Sequence, residues 1–327
     1  MTNGGGSGLV TIFGGSGFVG RYAVQALAKR GWRVRAAVRR PDLAGHLQPM
    51  GAVGQIMPIQ ANLRYSDSIA RAVHGAEVVI NCVGIPYNLG EQTFNSVHVE
   101  GARAVAKAAR GAGARRLVHI SALGANQNSS SRYASSKAKG VQAVLAEFPS
   151  AVILRPSLVF GPEDQFFNRF AAMARFSPVL PAIGGGKTKF QPIFAGDLGQ
   201  AIATATEGRV EPGKIYELGG PEVFTFKELL ERIAQYCGRS SKPFPIPYFA
   251  AKIMAVVAKL LPTTLRPIAY DQVRLLQTAQ SIVSDIAEKE GRTLKAFNIA
   301  LPTAIEAVVP DYLERFKPKG HYSHYRG

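Results

Sequence analysis

The sequence is poor in cysteine and lacks long hydrophobic runs. It contains only two cysteines, Cys82 and Cys237, among 327 residues, which excludes a disulfide framework and a metal site made of several cysteines. So few cysteines are typical of a protein from a reducing compartment. Apolar runs stay below the roughly 18 residues that a membrane-spanning helix needs, so we expect a soluble or peripheral protein.

Acidic residues are scarce relative to basic ones. The chain has 39 lysines and arginines against 22 aspartates and glutamates, a formal net charge of +17. This excess calls for a negatively charged partner, such as a phosphorylated cofactor, an anionic membrane surface or an acidic protein surface. Nucleic acid is not indicated, because the charge is spread along the chain without a recognisable binding module. We expect no metal either, since His321 and His324 lack acidic or cysteine neighbours.

Residues 9–40 carry the most informative pattern of the chain. The apolar run Leu9–Phe13 predicts a buried strand, Phe18–Arg30 has the periodicity of a helix, and Arg33–Val38 predicts a second strand. Strand, glycine-rich turn, helix and strand in this order form the context that a dinucleotide-binding fingerprint requires. Residues 1–8, MTNGGGSG, predict a flexible start without a signal or transit peptide.

The glycines of the turn have the spacing of a pyrophosphate-binding loop, fitting both GxGxxG and GxxGxxG. Glycine lets the backbone approach a pyrophosphate closely, and the following helix directs its free N–H groups and positive dipole end at the phosphates. The alternative is an ordinary glycine-rich loop, which the flanking strands disfavour. We therefore expect the pyrophosphate to be bound by Gly14, Gly15, Ser16, Gly17, Phe18, Val19 and Gly20.

The end of the second predicted strand indicates which nucleotide is bound. An NAD site usually has an Asp or Glu about 20 residues beyond the glycines, on the ribose 2′-hydroxyl. This chain has Arg39 and Arg40 there, and a guanidinium can bind a 2′-phosphate with two hydrogen bonds. We therefore predict NADP(H), with NAD(H) less favoured. Two alternatives stay open: Asp42 could take the acidic role, or both arginines could be solvated surface residues.

Strands and helices alternate through the first half of the chain, which predicts an α/β fold with a Rossmann-type doubly wound parallel sheet. Strands are predicted at Leu9–Phe13, Arg33–Val38, Gln55–Gln60, Val78–Val83, Leu117–Ser121 and Ala151–Arg155. Helices are predicted at Phe18–Arg30, Asp67–Val73, Phe94–Gly111 and Tyr133–Phe148. We assign residues 9–161 to this nucleotide-binding domain.

The alternation stops beyond Arg155, where prolines and the Gly184–Gly186 run indicate loops. Helical patterns return at Gly196–Glu207, Thr225–Cys237, Tyr248–Leu261 and Thr303–Phe316. Residues 162–327 are therefore predicted to form a smaller, mainly helical lobe that contacts a substrate or a partner. Such a lobe commonly covers the carboxyl edge of the sheet.

Three side chains have the chemistry of a proton-transfer site. Tyr133 and Lys137 lie four residues apart on a predicted helix and so share a face, and Ser121 ends the preceding strand. The lysine charge is expected to lower the pKa of the tyrosine, which could then act as a general acid or base. The serine hydroxyl would hold the reacting oxygen. Ser121, Tyr133 and Lys137 are therefore the candidate catalytic residues.

The glycine motif together with this triad resembles the short-chain dehydrogenase/reductase superfamily, in its extended or atypical branch, over residues 9–235. The resemblance implies that Tyr133 and Lys137 also contact the nicotinamide ribose. It further implies three cofactor-contacting segments, with Asn62 and Leu63 at the adenine, Cys82, Val83 and Gly84 beside the cofactor, and Arg155, Pro156 and Ser157 at the nicotinamide. Asn62 stands where the family usually has an acidic residue.

One subgroup is similar in more detail. The runs FGGSGFVGRY, QANLR, NCVG and RPSLVFGPEDQFFNRFA resemble the dehydrogenase-like accessory subunits of respiratory complex I, NADH:ubiquinone oxidoreductase, and their bacterial relatives. This implies a tightly bound, structural NADPH and complex I subunits as partners. It places the chain in the cytoplasm at the periphery of a bacterial inner membrane, or on the matrix side of a mitochondrial one.

The complete triad leaves an enzyme open. The alternative is an NADP(H)-dependent oxidoreductase or epimerase/dehydratase that acts on a quinone precursor, a lipid-like ketone or a nucleotide sugar. A weaker alternative is a redox-sensing regulator that uses the nucleotide only to change partners.

The second lobe offers a candidate interaction surface. Tyr248–Leu261 is almost wholly apolar except for Lys252 and Lys259, which are seven residues apart and share a helical face. Such a basic amphipathic helix can lie on a lipid surface or in a partner's groove. The alternative is a core helix with two solvated lysines. After Glu314 the chain ends in a basic tail with interleaved aromatic residues, predicted to dock on a partner or on lipid headgroups.

Overall fold

The computed structural model describes residues 8–257, 270–278 and 280–318. The flexible start expected over residues 1–8 therefore lies outside the described residues except for Gly8. The end of the amphipathic helix, Lys259, the two C-terminal histidines and most of the basic tail lie outside them as well.

The chain contains short strands throughout and helices between them. The strands are β1 (Leu9–Phe13), β2 (Arg33–Val38), β3 (Ile56–Gln60), β4 (Val78–Asn81), β5 (Arg116–Ile120), β6 (Val152–Pro156), β7 (Val159–Phe160), β8 (Val179–Ile183), β9 (Lys189–Phe190), β10 (Ile193–Phe194), β11 (Ile215–Leu218), β12 (Phe224–Thr225) and β13 (Lys242–Ile246). The α-helices are α1 (Phe18–Lys29), α2 (Ser66–Val73), α3 (Ala102–Gly111), α4 (Arg132–Glu147), α5 (Phe167–Ala174), α6 (Ala195–Thr206), α7 (Phe226–Tyr236), α8 (Tyr248–Val257), α9 (Tyr270–Thr278), α10 (Asp285–Lys289) and α11 (Val309–Leu313).

The central sheet has seven parallel strands in the order β11-β6-β5-β4-β1-β2-β3. The strand order reverses between β1 and β4. From β1 the chain continues to β2 and β3 on one side of the sheet, and from β4 it continues to β5 and β6 on the other side. Open α/β sheets bind ligands in the crevice at such a switch point. The predicted doubly wound, Rossmann-type fold is confirmed.

The described chain divides into two compact units. The first contains the residues up to Pro156 together with Ala195–Leu218 and Val283–Ala300, and the second contains Ser157–Phe194, Gly219–Ile282 and the residues from Leu301 onward. The chain thus crosses between the units repeatedly, and residues 162–327 are shared between them. A single boundary at Gly161 does not describe this arrangement.

Helix α6, expected in the second lobe, packs on α1 in the first unit. Gly199 of α6 approaches the backbone of Tyr22 so closely that a Cβ at this position would lie 2.7 Å from the Tyr22 carbonyl oxygen. Arg30, at the end of α1, donates to the Glu207 carboxylate at 3.0 Å and to the Thr204 hydroxyl at 3.2 Å. This packing covers one face of the sheet with two helices that are far apart in sequence.

Several predicted elements differ from the observed ones. Strand β11 was not expected, and β4 ends at Asn81 rather than Val83. The predicted helix Phe94–Gly111 is π-helical over Asn95–Gly101 before it continues as α3. The predicted helix Thr303–Phe316 is wrong: it is divided into 3-10 turns and the short α11, because Pro310 has no N–H to extend a preceding helix.

The second unit is built around an aromatic core and three two-stranded sheets, β7 with β10, β8 with β13, and β9 with β12. Phe166 packs against Phe167 and Phe226, with ring centroids 5.3 and 5.9 Å apart. Helix α7 begins with a capping box in which Thr225 and Glu228 exchange hydrogen bonds. Among the described residues, no helix is long and apolar enough to cross a membrane.

Candidate functional site

A cleft opens in the first unit at the carboxyl ends of β1, β2 and β4, where the strand order reverses. Its lining consists of Phe13, Gly14, Ser16, Gly17, Ala37, Val38, Arg39, Ala61, Asn62, Leu63, Arg64, Cys82, Val83, Gly84, Ile85, Gln92 and Val97. Predicted cofactor residues from four separate segments thus meet in one cleft: Gly14, Ser16, Gly17, Arg39, Asn62, Leu63, Cys82, Val83 and Gly84.

The glycine-rich turn is held by its own backbone. Gly14 has a φ of 77°, a left-handed conformation that favours glycine, and its N–H donates to the Ala37 carbonyl oxygen at 2.9 Å. A Cβ on Gly20 would overlap the Gly14 carbonyl oxygen, so Gly20 allows α1 to start directly behind the turn. Gly17 is the N-cap of α1 and has no side chain to bond the first N–H groups. These donors suit an anion.

The remaining turn residues have packing roles rather than cleft positions. A Cβ on Gly15 would lie 3.0 Å from the Ala36 Cβ, so Gly15 allows the turn to contact β2. Phe18 and Val19 form the first turn of α1, and Phe18 makes an edge contact with Tyr22 at 5.9 Å between ring centroids. A phosphate at the N-terminus of α1 would therefore meet the backbone N–H groups of Phe18 and Val19 rather than their side chains.

The two arginines after β2 differ in their surroundings. Arg39 lines the cleft and is exposed, and no described carboxylate pairs with it. Arg40 does not line the cleft and instead forms an ion pair with Asp42 at 2.7 Å, which raises the pKa of the arginine. Asp42 is therefore engaged with Arg40 rather than placed to accept from a ribose.

The opposite wall contains residues that sequence reasoning identified and one that it missed. Asn62 Oδ1 accepts from the Arg64 N–H at 3.1 Å and so shapes the turn after β3. Arg64 also lines the cleft, and its guanidinium pairs with Glu91. Its position directly after Asn62 and Leu63 in the sequence could have predicted that Arg64 lines the cleft. Burial raises the pKa of Cys82 to about 12, so this thiol stays protonated at neutral pH.

The candidate triad consists of Ser121, directly after β5, and of Tyr133 and Lys137 on α4. Lys137 is buried, and its Nζ donates to the Ile120 carbonyl oxygen at 3.1 Å. A Cβ on Gly84 would lie 3.3 Å from the same Nζ, so the lysine is next to the cleft. Ser121 Oγ is buried without a hydrogen-bond partner among the described residues. Such an orphaned hydroxyl is suited to a ligand oxygen.

The pKa of Tyr133 is shifted in the direction opposite to the expected one. Burial raises the pKa of Tyr133 to about 12, and burial lowers the pKa of Lys137 to about 8. The expectation that the lysine charge lowers the tyrosine pKa is therefore wrong in this structure, because desolvation disfavours both charged forms. Tyr133 holds its proton at neutral pH.

The predicted nicotinamide segment Arg155–Ser157 does not line the cleft. Arg155 lies in β6 opposite Glu217 of β11, and burial lowers the pKa of Arg155. The Pro156 carbonyl oxygen accepts from the Leu123 N–H at 3.0 Å. Ser157 begins the second unit, where its Oγ donates to the Ser281 carbonyl oxygen at 2.6 Å. The Pro156 carbonyl and the Ser157 hydroxyl are therefore engaged within their own units, whereas Arg155 Nε is buried without a hydrogen-bond partner among the described residues.

His98 is a buried residue near Tyr133 that the sequence did not single out. Its ring lies 5.5 Å from the Tyr133 ring and 5.5 Å from the Phe94 ring, measured between centroids. A histidine in an apolar helical pattern gives no local signal of this position. Within the part of the chain that the structure describes, no group of three or more His, Cys, Asp or Glu side chains could hold a metal ion.

Comparison with known proteins agrees with this arrangement. Residues 10–219 match the model of the "NAD dependent epimerase/dehydratase family". The chain is 37% identical over 294 residues to "NADH dehydrogenase [ubiquinone] 1 alpha subcomplex subunit 9, mitochondrial" of Arabidopsis thaliana, covering 86% of this chain and 73% of that protein. The match to the mouse protein of the same name covers 65% of that protein, about two thirds of its length.

Two further similarities bear on the site. The chain is 40% identical over 176 residues to "Ceramide reductase" of Caulobacter vibrioides, which covers 54% of each protein. The solved structure of an NADPH-dependent quinone oxidoreductase from Escherichia coli, complexed with NADPH, has a TM-score of 0.70 and 20% identity, covering 93% of this chain and 99% of that one. At this identity the match shows the shared fold alone. By its matched family model and its relatives, this chain belongs to the NAD dependent epimerase/dehydratase family, the extended short-chain dehydrogenases.

Proposed function

We propose that this chain binds NADP(H) in the cleft and acts as a peripheral accessory subunit or assembly component of NADH:ubiquinone oxidoreductase, complex I. The observation that carries the proposal is the 37% identity, over 86% of this chain, to a plant protein named as a subunit of that enzyme. The partners would be complex I subunits. The nucleotide would stabilise the first unit rather than be consumed.

The cleft has the donors that an NADP(H) molecule needs. The N-terminus of α1, directly behind the turn Gly14–Gly17, would hold the pyrophosphate, because the first N–H groups of this helix have no side-chain cap. Arg39 would bind the 2′-phosphate, since its guanidinium is exposed at the cleft and unpaired among the described residues. Lys137 and Tyr133 would hold the nicotinamide ribose, with the orphaned Ser121 hydroxyl close by.

The charge states around Tyr133 disfavour oxidation of a substrate alcohol. A tyrosine with a pKa of about 12 cannot act as a general base at neutral pH, because almost none of it is ionised. Lys137 already donates one hydrogen bond to the Ile120 carbonyl oxygen. Both side chains are therefore better suited to hydrogen-bond a bound ribose than to drive oxidation of an alcohol.

Helix α8 supports an anionic membrane surface as a further partner. Phe249, Ile253 and Val256 are 69%, 60% and 50% exposed, and their spacing places them on one helical face. Ala251 and Ala255 form the buried face, so the large apolar side chains point away from the core of the second unit. With Lys252 beside them, these residues suit the headgroup region of a membrane. The location would be the cytoplasmic side of a bacterial inner membrane or the matrix side of a mitochondrial one.

The test is migration on a native gel. Membranes are extracted with a mild detergent, separated on a native gel and stained for NADH dehydrogenase activity, and the chain is located with an antibody. We expect it in the active high-mass band, and we expect that band to weaken when the gene is deleted. Migration only as a small free species would contradict the accessory role.

A second candidate function is an NADPH-dependent reductase of a lipid-like ketone. It is favoured by the 40% identity over 176 residues to a protein named ceramide reductase. A reduced nicotinamide supplies a hydride to a carbonyl carbon. Tyr133 would donate its phenolic proton to the carbonyl oxygen, which a tyrosine protonated at neutral pH can do, and Ser121 Oγ would hold that oxygen.

Single-turnover kinetics distinguish the two functions. The protein is loaded with NADPH and mixed with long-chain ketones, and nucleotide absorbance is followed with Tyr133→Phe as the control. Oxidation that this substitution abolishes would establish the reductase. Stable NADPH in both proteins would contradict the reductase of lipid-like ketones.

A further inference from the structure

His98 lies where the π-helical segment Asn95–Gly101 meets helix α4. A Cβ on Gly140 of α4 would overlap the His98 carbonyl oxygen, so the two helical backbones are in direct contact here. The π-helical turn is an unusual conformation that occurs frequently at functional sites. In this chain it directs the imidazole of His98 between the cleft wall and α4.

The hydrogen bonds of His98 specify one tautomer. The Ile85 N–H donates to His98 Nε2 at 3.0 Å, so Nε2 carries no proton. The proton of the neutral ring is then on Nδ1, which donates to Ser136 Oγ at 2.9 Å. Ser136 Oγ in turn donates to the Tyr133 carbonyl oxygen at 2.8 Å. This relay joins the loop after β4 to the first turn of α4.

Ring packing connects His98 to the same tyrosine a second time. The His98 ring stacks on Phe94 at an interplanar angle of 22° and meets Tyr133 edge-on at 84°. Phe94 also contacts the Tyr133 ring, at 5.9 Å between centroids. The two aromatic neighbours therefore contact the Tyr133 ring, and the hydrogen-bond relay holds the Tyr133 backbone carbonyl.

The charge of the ring supports the same assignment. Burial and the nearby Lys137 lower the pKa of His98 to about 2, so the ring is neutral under physiological conditions. A protonated ring would have a donor at Nε2 facing the Ile85 N–H. The neutral His98 ring thus keeps Nε2 as the acceptor for the Ile85 N–H.

We propose that His98 is a positioning residue, which holds the Gly84–Ile85 wall of the cleft and Tyr133 in the relative position that a bound nicotinamide nucleotide requires. This inference rests on the proposed nucleotide binding. It adds a residue that contacts neither phosphate nor ribose and acts through its two hydrogen-bonding nitrogens.

Two substitutions separate the two nitrogens. In His98→Gln the amide oxygen can take the place of Nε2 and accept from Ile85, while the bond to Ser136 is lost. In His98→Asn the amide NH2 can take the place of Nδ1 and donate to Ser136, while the Ile85 N–H is left without its partner. Asn95→Ala is the matched control, because Asn95 is exposed in the same π-helical segment.

Binding of NADPH is measured by nucleotide fluorescence, with unfolding midpoints to show that each variant is folded. We expect His98→Asn to weaken binding about tenfold, since the partly buried Ile85 N–H loses its acceptor and the Gly84–Ile85 wall is no longer held. His98→Gln and Asn95→Ala should stay within about twofold, but His98→Gln should shift the emission of the bound nicotinamide because Tyr133 is less well held. Wild-type affinity and emission in both His98 variants would overturn the proposal.

A measurement without nucleotide keeps the two proposals apart. Nitrogen-15 NMR of the wild-type protein reports imidazole tautomers directly. We expect a neutral His98 ring protonated at Nδ1, and a ring protonated at Nε2 would overturn the relay even if NADPH binds. If the Nδ1 tautomer is found and the wild-type protein binds no NADPH, the proposed nucleotide binding fails and the positioning role fails with it.

Discussion

Arg39 and Arg40 are neighbours in sequence, but their guanidinium groups have different contacts. Arg39 lines the cleft without a carboxylate partner among the described residues, whereas Arg40 is paired with Asp42. A surface ion pair contributes little to stability, but here it occupies the guanidinium that could otherwise bind a phosphate. The sequence could not rank the two arginines, because the pairing depends on the conformation of the turn after β2.

This difference predicts the nucleotide preference of two matched variants. Arg39→Asp should weaken NADPH binding about tenfold to a hundredfold, because charge-assisted hydrogen bonds are each worth about 1.5–3 kcal/mol. NADH binding should be kept. Arg40→Asp introduces the same charge change one residue away and should alter the NADPH affinity by less than about threefold.

Fluorescence titrations of both nucleotides against the three proteins give the measurement. Equal losses in the two variants would mean that net charge near the cleft, rather than a contact from Arg39, sets the affinity. An unchanged NADPH-to-NADH ratio in Arg39→Asp would remove Arg39 from the proposed 2′-phosphate site.

At the scale of elements, the predictable parts are those whose chemistry is local. The turn after β1 needs glycine at Gly14 for its left-handed backbone and at Gly20 for close helix packing, so the residue types reveal the geometry. The strands β1 and β4 are largely apolar runs that parallel pairing buries, and β2 is apolar and buried from Ala36 to Val38. Fold class and the position of the cleft follow from these elements alone.

Other elements depend on distant partners, which the local sequence does not contain. Strand β11 is four residues long and exists because it pairs with β6, some sixty residues earlier. The π-helical turn around His98 depends on the close approach of Gly140. Helix α6 was assigned to the second lobe from its position in sequence, although its contacts with α1 place it in the first unit.

The exposed face of α8 predicts membrane binding. Replacing Phe249, Ile253 and Val256 together by serine should lower binding to vesicles that contain phosphatidylglycerol at least tenfold. The physical reason is that each apolar side chain contributes about 1.5–3 kcal/mol when removed from water. Because these side chains do not contribute to the core, the unfolding midpoint should not fall.

Vesicle co-sedimentation is the measurement, with Leu301→Ser as the control. Leu301 is 92% exposed and lies outside α8, so its replacement removes a similar surface residue without touching the helix. Wild-type binding by the triple variant would contradict the docking of α8. If the wild-type protein binds phosphatidylcholine vesicles as tightly as vesicles that contain phosphatidylglycerol, anionic lipid is not required for binding.

For the whole molecule, buried neutral side chains in the first unit connect stability to pH. Burial, together with the charge of Lys137, lowers the pKa of His98 to about 2 and that of His119 to about 3. Both rings titrate near 6.5 when the chain is unfolded. A lowered pKa of a base stabilises the folded state above pH 6.5, and this contribution is lost as the pH falls towards 3, because the unfolded chain binds the extra protons.

We therefore expect the free energy of unfolding to fall by about 2 kcal/mol per histidine between pH 7 and pH 5. Lys137 adds nothing in this interval, since its pKa of about 8 in the folded state lies above it. Urea unfolding followed by circular dichroism at the two pH values is the measurement. His119→Leu should halve the fall, because one of the two buried rings is gone, whereas His74→Asn, at an exposed position, should leave it intact. If the wild-type protein unfolds at the same urea concentration at both pH values, the two rings are not held neutral by the fold, and the tautomer assigned to His98 loses its electrostatic support.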